Sequence, residues 1–117
     1  MSEIIIYGIA NCDSIKKSLN WFTLNQIDYT FHDYKKKGIE KNQLQAWCKA
    51  VGWEILLNKK GTTWKKIAAD YEGIAINTKL AIDIMLQHQS IIKRPVIEYG
   101  DVVIVGFDEA VFSSYFL

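Results

Sequence analysis

The order of predicted elements in the first 33 residues constrains the fold more strongly than any other feature of this sequence. Residues 3–7 form an almost uninterrupted apolar run that ends at Gly8, which is typical of a short buried strand. Residues 13–24 have the spacing of an amphipathic helix, and residues 27–33 alternate between large and polar side chains like a half-buried strand. A strand, a helix and a second strand within about thirty residues predict a parallel β-α-β unit.

The end of the chain predicts a second group of strands. Residues 96–99 and 102–105 are strand-like runs joined by Gly100-Asp101, a two-residue hairpin turn in which both residues accept positive φ. Asp108 is then expected to cap a last helix over residues 109–116.

The middle of the chain completes the predicted fold. Residues 34–38 are expected to form a solvated connection, and residues 40–90 carry helical signals almost throughout. The order is therefore βαβ, several helices, then ββα. We predict an α/β (α+β) fold of thioredoxin type with a four-stranded mixed sheet. The chain is interpreted as a single domain over residues 1–117, with a helical insertion at about residues 40–90.

The composition narrows the class of protein. Fourteen basic and thirteen acidic side chains leave a formal net charge of +1, which argues against a nucleic-acid partner. No apolar run approaches the ~18 residues that a transmembrane helix needs, and the N-terminus lacks the basic segment of a signal peptide. We therefore expect a cytoplasmic monomer that binds neither a membrane nor nucleic acid.

The two cysteines, Cys12 and Cys48, form no C-x-x-C motif, and the chain has only two histidines. A metal site is therefore not expected, and the reducing cytosol disfavours a structural disulfide. Cys48 lies in an apolar helical stripe with Leu44, Trp47 and Val51, so it is predicted to be buried and unpaired.

Cys12 is the first candidate for chemistry, because it lies between a predicted strand and a predicted helix. Free backbone N–H groups at a helix start stabilise a thiolate and lower the pKa of a cysteine. Lys16, one turn further on, adds positive charge, whereas Asp13 opposes the effect. Asn11 or Asp13 is expected to cap the helix. The alternative is that Cys12 is only a small buried residue at a strand–helix junction.

The segment Lys93-Arg94-Pro95 is the second candidate, because it contains the single arginine and the single proline of the chain. An X–Pro bond adopts the cis form at modest cost, and we predict a cis bond between Arg94 and Pro95. In a βαβ…ββα sheet the start of the third strand lies beside the start of the first helix, so Arg94 is predicted to face Cys12. There it would pair with an oxyanion or a carboxylate. The alternative is a surface arginine beside a strand-edge proline.

Four lysines, at positions 59, 60, 65 and 66, flank Gly61-Thr62-Thr63-Trp64. This segment is either a solvated helix face or a rim that faces an anion or a peptide, since a glycine and two threonines at a helix start favour anions.

Several of these segments together resemble the arsenate reductase (ArsC) family. They are Tyr7-Gly-x-x-Asn-Cys12 before a helix, Leu56-Leu57-Asn58, Gly61-Thr62-Thr63-Trp64 and Ile92-Lys93-Arg94-Pro95. The resemblance is greatest to the small YffB-like branch of that family and covers essentially the whole chain. The related Spx-type transcription regulators share the pattern at Val105-Gly106-Phe107-Asp108.

The resemblance implies that Cys12 attacks an oxidised substrate and that glutathione or glutaredoxin then resolves the adduct. It also implies that Arg94 precedes a cis-proline, Pro95, which shapes the surface where glutathione docks. The catalytic residues are therefore expected to be Cys12 and Arg94. Residues expected to bind the substrate are Asn11, Asp13, Ser14, Lys16, Asn58, Lys59, Lys93 and Pro95.

The chain departs from the arsenate reductases at three places. Asp13-Ser14-Ile15-Lys16 replaces the Gly-Thr-Ser-Arg that follows the family cysteine, and Asn58 stands where those enzymes carry an arginine. Those enzymes carry a further arginine in the C-terminal part, near Phe107, which this chain lacks. Fewer arginines weaken the grip on a tetrahedral oxyanion.

Three functional hypotheses follow from these observations. The first is a monothiol reductase that binds no cofactor permanently and uses glutathione as co-substrate on a small oxyanion or thiol substrate. The second is an arsenate reductase in which Lys59 or Lys60 replaces the missing arginines. The third is a non-catalytic regulator of the Spx type that binds a protein, such as a subunit of RNA polymerase.

Overall fold

The computed structural model describes residues 2–117. Its strands are β1 (Ile4–Gly8), β2 (Thr30–Asp33), β3 (Val96–Tyr99) and β4 (Val102–Val105). Its α-helices are α1 (Asp13–Leu24), α2 (Tyr34–Lys37), α3 (Lys41–Val51), α4 (Trp53–Leu56), α5 (Thr62–Ile67), α6 (Thr78–Gln87) and α7 (Glu109–Phe116). Short 3-10 helices cover Ala68–Tyr71 and Gln89–Ile91.

The chain divides into two compact units, the first formed by residues up to Lys37 together with Arg94–Leu117, and the second by Gly38–Lys93. The first unit contains a four-stranded mixed sheet in the order β2-β1-β3-β4. Strand β2 is parallel to β1, whereas β3 is antiparallel to β1 and β4 is antiparallel to β3. The four-stranded mixed sheet and the βαβ…ββα order predicted from the sequence are therefore confirmed.

The sheet register determines which loops meet. Tyr7 pairs with His32 on β2 and with Val96 on β3. The carboxyl ends of β1 and β2 therefore lie at the same edge of the sheet as the amino end of β3. The loop that follows β1, the start of α2 and the segment that precedes β3 meet at this edge.

Helices α1 and α7 pack on the sheet through an aromatic core. Their buried side chains surround Phe22, which lies 5.5 Å from Phe112 and 5.1 Å from Trp21 between ring centroids. The side chain of Ile15 on α1 lies over Gly8 so closely that a Cβ atom on this glycine would collide with it. The absence of a side chain at Gly8 therefore lets the start of α1 approach the end of β1.

The second unit is helical and has its own core. Leu44, Trp47, Leu56, Ile84 and Met85 are its largest buried side chains together with two isoleucines that follow α6, Ile91 and Ile92. Leu57 and Ile92 form an isolated antiparallel bridge, and the amide of Lys93 donates to the carbonyl of Leu56 at 2.8 Å. The end of this unit is thereby tied to the turn that follows α4.

The predicted bounds are close to the observed ones, with two differences in the first unit. The second strand begins at Thr30 and not at residue 27. The predicted solvated connection at residues 34–38 is wrong at its start, because residues Tyr34–Lys37 form the short helix α2 and the Tyr34 side chain is fully buried. Three consecutive lysines predict solvent exposure for their own side chains, but they do not predict the burial of the tyrosine that precedes them. Asp108 caps α7 as predicted, since its carboxylate accepts from the amides of Ala110 and Val111.

Within residues 2–117, no helix is both long enough and apolar enough to span a membrane.

Candidate active site

Cys12 is the N-cap residue of α1, with extended backbone angles of φ −145° and ψ 131°. Its side chain is partly exposed at the sheet edge described above. The amides of Ser14 and Ile15, in the first turn of the helix, act on the sulfur electrostatically, without forming a full capping hydrogen bond to it. These amides have no carbonyl partner within the helix, so a negative charge on the sulfur is favoured here.

Arg94 precedes Pro95 and strand β3, on the side of β1 that faces away from β2. Its peptide bond to Pro95 is cis, as predicted. Its half-buried guanidinium is within hydrogen-bonding reach of both the Cys12 sulfur and the Tyr34 hydroxyl. The prediction that Arg94 faces Cys12 is therefore confirmed. Burial opposes the charged form of Arg94, but Tyr34 and Cys12 raise its pKa, so the guanidinium stays charged.

These contacts determine the protonation of the thiol. Partial burial alone would raise the pKa of Cys12, but the Ile15 amide, the Arg94 guanidinium and the Ser14 amide together lower this pKa below that of a free cysteine. The thiolate is the reactive form of a cysteine. The arrangement therefore provides a nucleophile at a lower pH than an ordinary cysteine would.

Tyr34 is the member of the site that the sequence interpretation missed. It follows β2 directly, as the loop that leads to Cys12 follows β1, and burial raises the pKa of its hydroxyl. The signal that could have found it is topological. Two parallel strands end at the same edge of a sheet, so a large polar residue just after the second strand belongs near a nucleophile that follows the first.

The predicted residues around the nucleophile take different places in the first unit. Neither Asn11 nor Asp13 caps α1, so that prediction is wrong: Cys12 itself occupies the cap position, and Asp13 is the first helical residue. Asn11, Asp13 and Lys16 are exposed, whereas Ser14 is partly buried. The carbonyl of the buried Pro95 accepts a hydrogen bond from the amide of Gly106 at 2.8 Å, which fixes the start of β3.

The remaining predicted substrate residues, Asn58, Lys59 and Lys93, belong to the second unit. The amide of Asn58 donates to the carbonyl of Ile91 at 2.9 Å. The Nζ atom of Lys59 lies over two indole rings, 5.5 Å from the centroid of Trp53 and 5.4 Å from that of Trp64. The roles of these three residues in substrate binding stay predictions.

Cys48 confirms its predicted place in the core, because it is a free thiol in α3 with only 7% of its surface exposed. Burial and the nearby charge of Glu54 both raise its pKa. Among residues 2–117 there is no cluster of three or more His, Cys, Asp and Glu side chains that could hold a metal ion.

Known proteins are similar to this chain along almost its whole length. An uncharacterised protein of Haemophilus influenzae is 32% identical over 113 residues, which cover 97% of this chain and 98% of that protein. The solved YffB protein is 38% identical, with a TM-score of 0.90, and the match covers 95% of this chain and 96% of that one. A solved arsenate reductase (ArsC) related protein from Brucella melitensis is 43% identical, with a TM-score of 0.78 and coverages of 97% and 94%.

Transcription regulators are also similar at lower identity. The global transcriptional regulator Spx of Streptococcus pyogenes is 22% identical over 108 residues, which cover 91% of this chain and 79% of the regulator.

The ArsC family model matches residues 7–114, a span that begins on β1, contains Cys12 and Arg94, and ends within α7. This match includes both units of the chain and every residue of the candidate site. The protein belongs to the ArsC family.

Proposed function

We propose that this protein is a thiol-dependent reductase in which Cys12 is the nucleophile and glutathione is the co-substrate. The observation that carries the proposal is that two kinds of donor meet at the Cys12 sulfur: the first-turn amides of α1 and the Arg94 guanidinium. Such surroundings are typical of reactive cysteines and not of structural ones.

The chemistry is a pair of thiol–disulfide exchanges. The Cys12 thiolate attacks the glutathione sulfur of a mixed disulfide R–S–S–G, forms the Cys12–S–S–G bond and releases R–S⁻, which takes up a proton. A second glutathione, as its thiolate, attacks the Cys12 sulfur adduct at the glutathione sulfur. Oxidised glutathione leaves and the Cys12 thiolate is restored. In total, R–S–S–G and one glutathione give R–SH and oxidised glutathione: the R–S sulfur is reduced, the incoming glutathione is oxidised, and the glutathionyl group of the substrate remains at the disulfide level.

An external thiol is required in this scheme because the chain offers no suitable second cysteine. Cys48 is buried within α3, and its raised pKa keeps it protonated. A protonated, inaccessible thiol resolves an adduct poorly. Glutathione or glutaredoxin is the resolving partner that this chemistry calls for.

Arsenate is a second candidate substrate, favoured by the 43% identity to an arsenate reductase-related protein. In this case the Cys12 thiolate displaces an oxygen of arsenate as water. Glutathione then attacks the Cys12 sulfur, which releases arsenite and leaves the Cys12–glutathione disulfide. A second glutathione attacks the glutathione sulfur of this disulfide, so that oxidised glutathione leaves and the Cys12 thiolate is restored. Arg94 is the single arginine of the chain, so lysines would have to neutralise the remaining charge of the arsenate.

The test is a coupled assay in which glutathione reductase and NADPH report oxidised glutathione. One arm contains glutathione with the glutathione mixed disulfide of a small thiol, and the other contains glutathione with arsenate. Turnover that is present in the wild type and in Cys48→Ser, but lost in Cys12→Ser, supports the proposal, and the responding arm identifies the substrate. Equal background rates in all three proteins in both arms would refute both enzyme functions.

A non-catalytic role is favoured by the similarity to Spx over 91% of this chain. In that hypothesis the chain binds a subunit of RNA polymerase and Cys12 is dispensable. Titration of the purified polymerase against wild-type protein and Cys12→Ser measures this directly. Tight binding by both proteins, in the absence of any turnover, would favour the regulator over the reductase.

A further inference from the structure

We propose that Tyr34 is a positioning residue: its hydroxyl holds the guanidinium of Arg94 against Cys12 and thereby sets how reactive the thiol is. The inference rests on the proposed function, because positioning matters only if Cys12 reacts as a thiolate. Nothing in the family assignment or in the names of the similar proteins identifies a role for this tyrosine.

The fold places the three groups next to the ends of three adjacent strands, β2, β1 and β3. Tyr34 directly follows Asp33, which pairs with Gly8 at the end of β1. Arg94 stands two residues before Val96, which pairs with Tyr7 from the other side of β1. Cys12 follows β1 itself, so the guanidinium of Arg94 reaches both the thiol and the tyrosine hydroxyl.

A buried tyrosine hydroxyl needs a hydrogen-bond partner, and a phenylalanine would fill the same volume without that need. Tyr34 is fully buried, and its hydroxyl makes its contact with Arg94. It is also the buried residue of α2, whose other three residues are exposed lysines. The hydroxyl is thus the feature of this helix that connects it to the site.

A phenol suits this task better than a carboxylate does. A carboxylate would neutralise the guanidinium and leave less positive charge for the thiolate. Burial and the charges of Cys12 and Asp33 raise the pKa of Tyr34 against the opposing effect of Arg94. The hydroxyl therefore stays neutral while Cys12 ionises, so it can orient Arg94 without consuming its charge.

The substitution Tyr34→Phe changes none of the other titratable or charged groups on the neighbouring elements. These are Asp13, Lys16 and Lys17 on α1, His32 and Asp33 on β2, Lys35, Lys36 and Lys37 on α2, and Glu98 on β3. The Asp33 carboxylate accepts from the amide of Lys35 at 3.0 Å, and Glu98 accepts from the Tyr7 hydroxyl at 2.8 Å. A change in thiol titration on Tyr34→Phe is therefore attributable to the hydroxyl.

The experiment measures the rate of Cys12 alkylation by iodoacetamide between pH 5 and pH 10 in a Cys48→Ser background. Tyr34→Phe should shift the rate profile to higher pH. Below the wild-type pKa the rate should fall about threefold to tenfold, the value of one net hydrogen bond. The plateau at high pH should change little, because the thiol is fully ionised there in both proteins.

Tyr7→Phe is the matched control. Tyr7 is also a buried tyrosine of the first unit, but its hydroxyl donates to Glu98. The control loses a hydrogen bond of similar burial and should leave the Cys12 profile within experimental error of the wild type. A shift of equal size in the control would mean that the effect is general destabilisation, and it would overturn the proposal.

Action through Arg94 is tested in the Arg94→Met background. There, Tyr34→Phe should cause no further shift, because the group that it positions is gone. An undiminished shift would show that Tyr34 acts on the thiol directly, which contradicts a positioning role.

A shift of the Tyr34→Phe profile to lower pH would contradict the proposal as well. It would mean that Tyr34 competes with Cys12 for the guanidinium. A second pair, Tyr34→Gln and Tyr34→Met, has similar side-chain size and differs in the hydrogen-bond acceptor. The glutamine variant should stay closer to the wild-type profile, and equal profiles for the pair would count against the proposal even if Tyr34→Phe folds poorly.

Failure of this inference differs from failure of the proposed function. A wild-type protein with an ordinary thiol titration and no glutathione oxidation would refute the reductase. If Cys12 ionises at a lower pH than a free cysteine and turnover is normal in both the wild type and Tyr34→Phe, the reductase proposal stands and the role of Tyr34 is refuted.

Discussion

The surroundings of the two cysteines differ in almost every respect that controls thiol chemistry. Cys12 precedes the first turn of α1, is partly exposed and has a lowered pKa. Cys48 lies inside α3, is 7% exposed and has a raised pKa. Burial acts on both thiols in the same direction, so burial alone does not explain the opposite outcomes.

The difference comes from the position of each cysteine in its helix. Amides in the middle of a helix are bonded to carbonyls four residues earlier, so Cys48 is offered no free donors and has the Glu54 carboxylate nearby. The amides that follow Cys12 are unpaired within the helix, and Arg94 supplies a full positive charge. The direction of the pKa shift is therefore set by the position of the cysteine at a helix start beside Arg94, and not by the residue type.

The largest expected effect is on turnover. Cys12→Ser should reduce glutathione-dependent activity to the uncatalysed level, whereas Cys48→Ser should retain activity within about a factor of two, because the scheme uses only the first thiol. The coupled NADPH assay measures both variants. Loss of activity in a folded Cys48→Ser protein would contradict the contrast between the two cysteines and indicate a second functional thiol.

Alkylation of the wild-type protein should distinguish the two thiols by more than about a hundredfold at pH 6.5, since ionisation and access both favour Cys12. Brief labelling with iodoacetamide followed by peptide mass spectrometry gives the ratio. Unfolding the protein in urea should bring the two rates together. Similar rates in the folded protein would mean that the helix start does not activate Cys12.

Replacement of Arg94 removes one of the two causes of the lowered pKa of Cys12. Arg94→Met should slow Cys12 alkylation below its pKa by about tenfold, because a charge-assisted hydrogen bond is lost. Arg94→Lys keeps the charge and should cause a smaller change. The rate at Cys48 should be the same in all three proteins, and this serves as the internal control.

The smallest expected effects, within about 1 kcal/mol, concern stability. The folded pKa of Cys12 lies below its unfolded value, so its contribution is present above the unfolded thiol pKa of ~8.5 and is lost as the pH falls through the folded pKa. The folded pKa of Cys48 lies above its unfolded value, so its contribution is present below ~8.5 and is lost as the pH rises through the folded pKa.

Urea unfolding at pH 6 and pH 9.5 tests these opposite signs. The free energy of unfolding of the wild type minus that of Cys12→Ser should increase with pH. The same difference taken against Cys48→Ala should decrease with pH. If the two differences changed with pH in the same direction, the assigned titration of one cysteine would be contradicted.

The sequence predicted those parts of the site that depend on local patterns. The strand–loop–helix junction at Cys12 and the hairpin after Pro95 are encoded in neighbouring residues, and the order of the strands then brings Arg94 to the thiol. Local patterns do not reveal Tyr34, whose place near Cys12 follows from the parallel pairing of β1 and β2. Its side chain is buried by contacts with residues far away in the chain, while the local sequence around it is dominated by lysines.

The caps illustrate the same limit on a smaller scale. Asn11 and Asp13 have better capping side chains than cysteine does, yet the backbone places Cys12 at the cap position. Likewise, Gly61 occupies the cap position of α5, and the two threonines that follow it lie within the helix. Side-chain preference identifies a helix start to within a residue or two, and packing decides which residue occupies it.

The close approach of Ile15 to Gly8 couples the packing of an interior glycine to the surroundings of the Cys12 thiol. The side chain of Ile15 fills the space above Gly8, while the amide of the same residue acts on the sulfur. A methyl group at position 8 would force the Ile15 side chain to shift, on the residue whose amide lowers the pKa of Cys12. A substitution in the core at position 8 is therefore a way to perturb the titration of Cys12 without any change at the surface of the site.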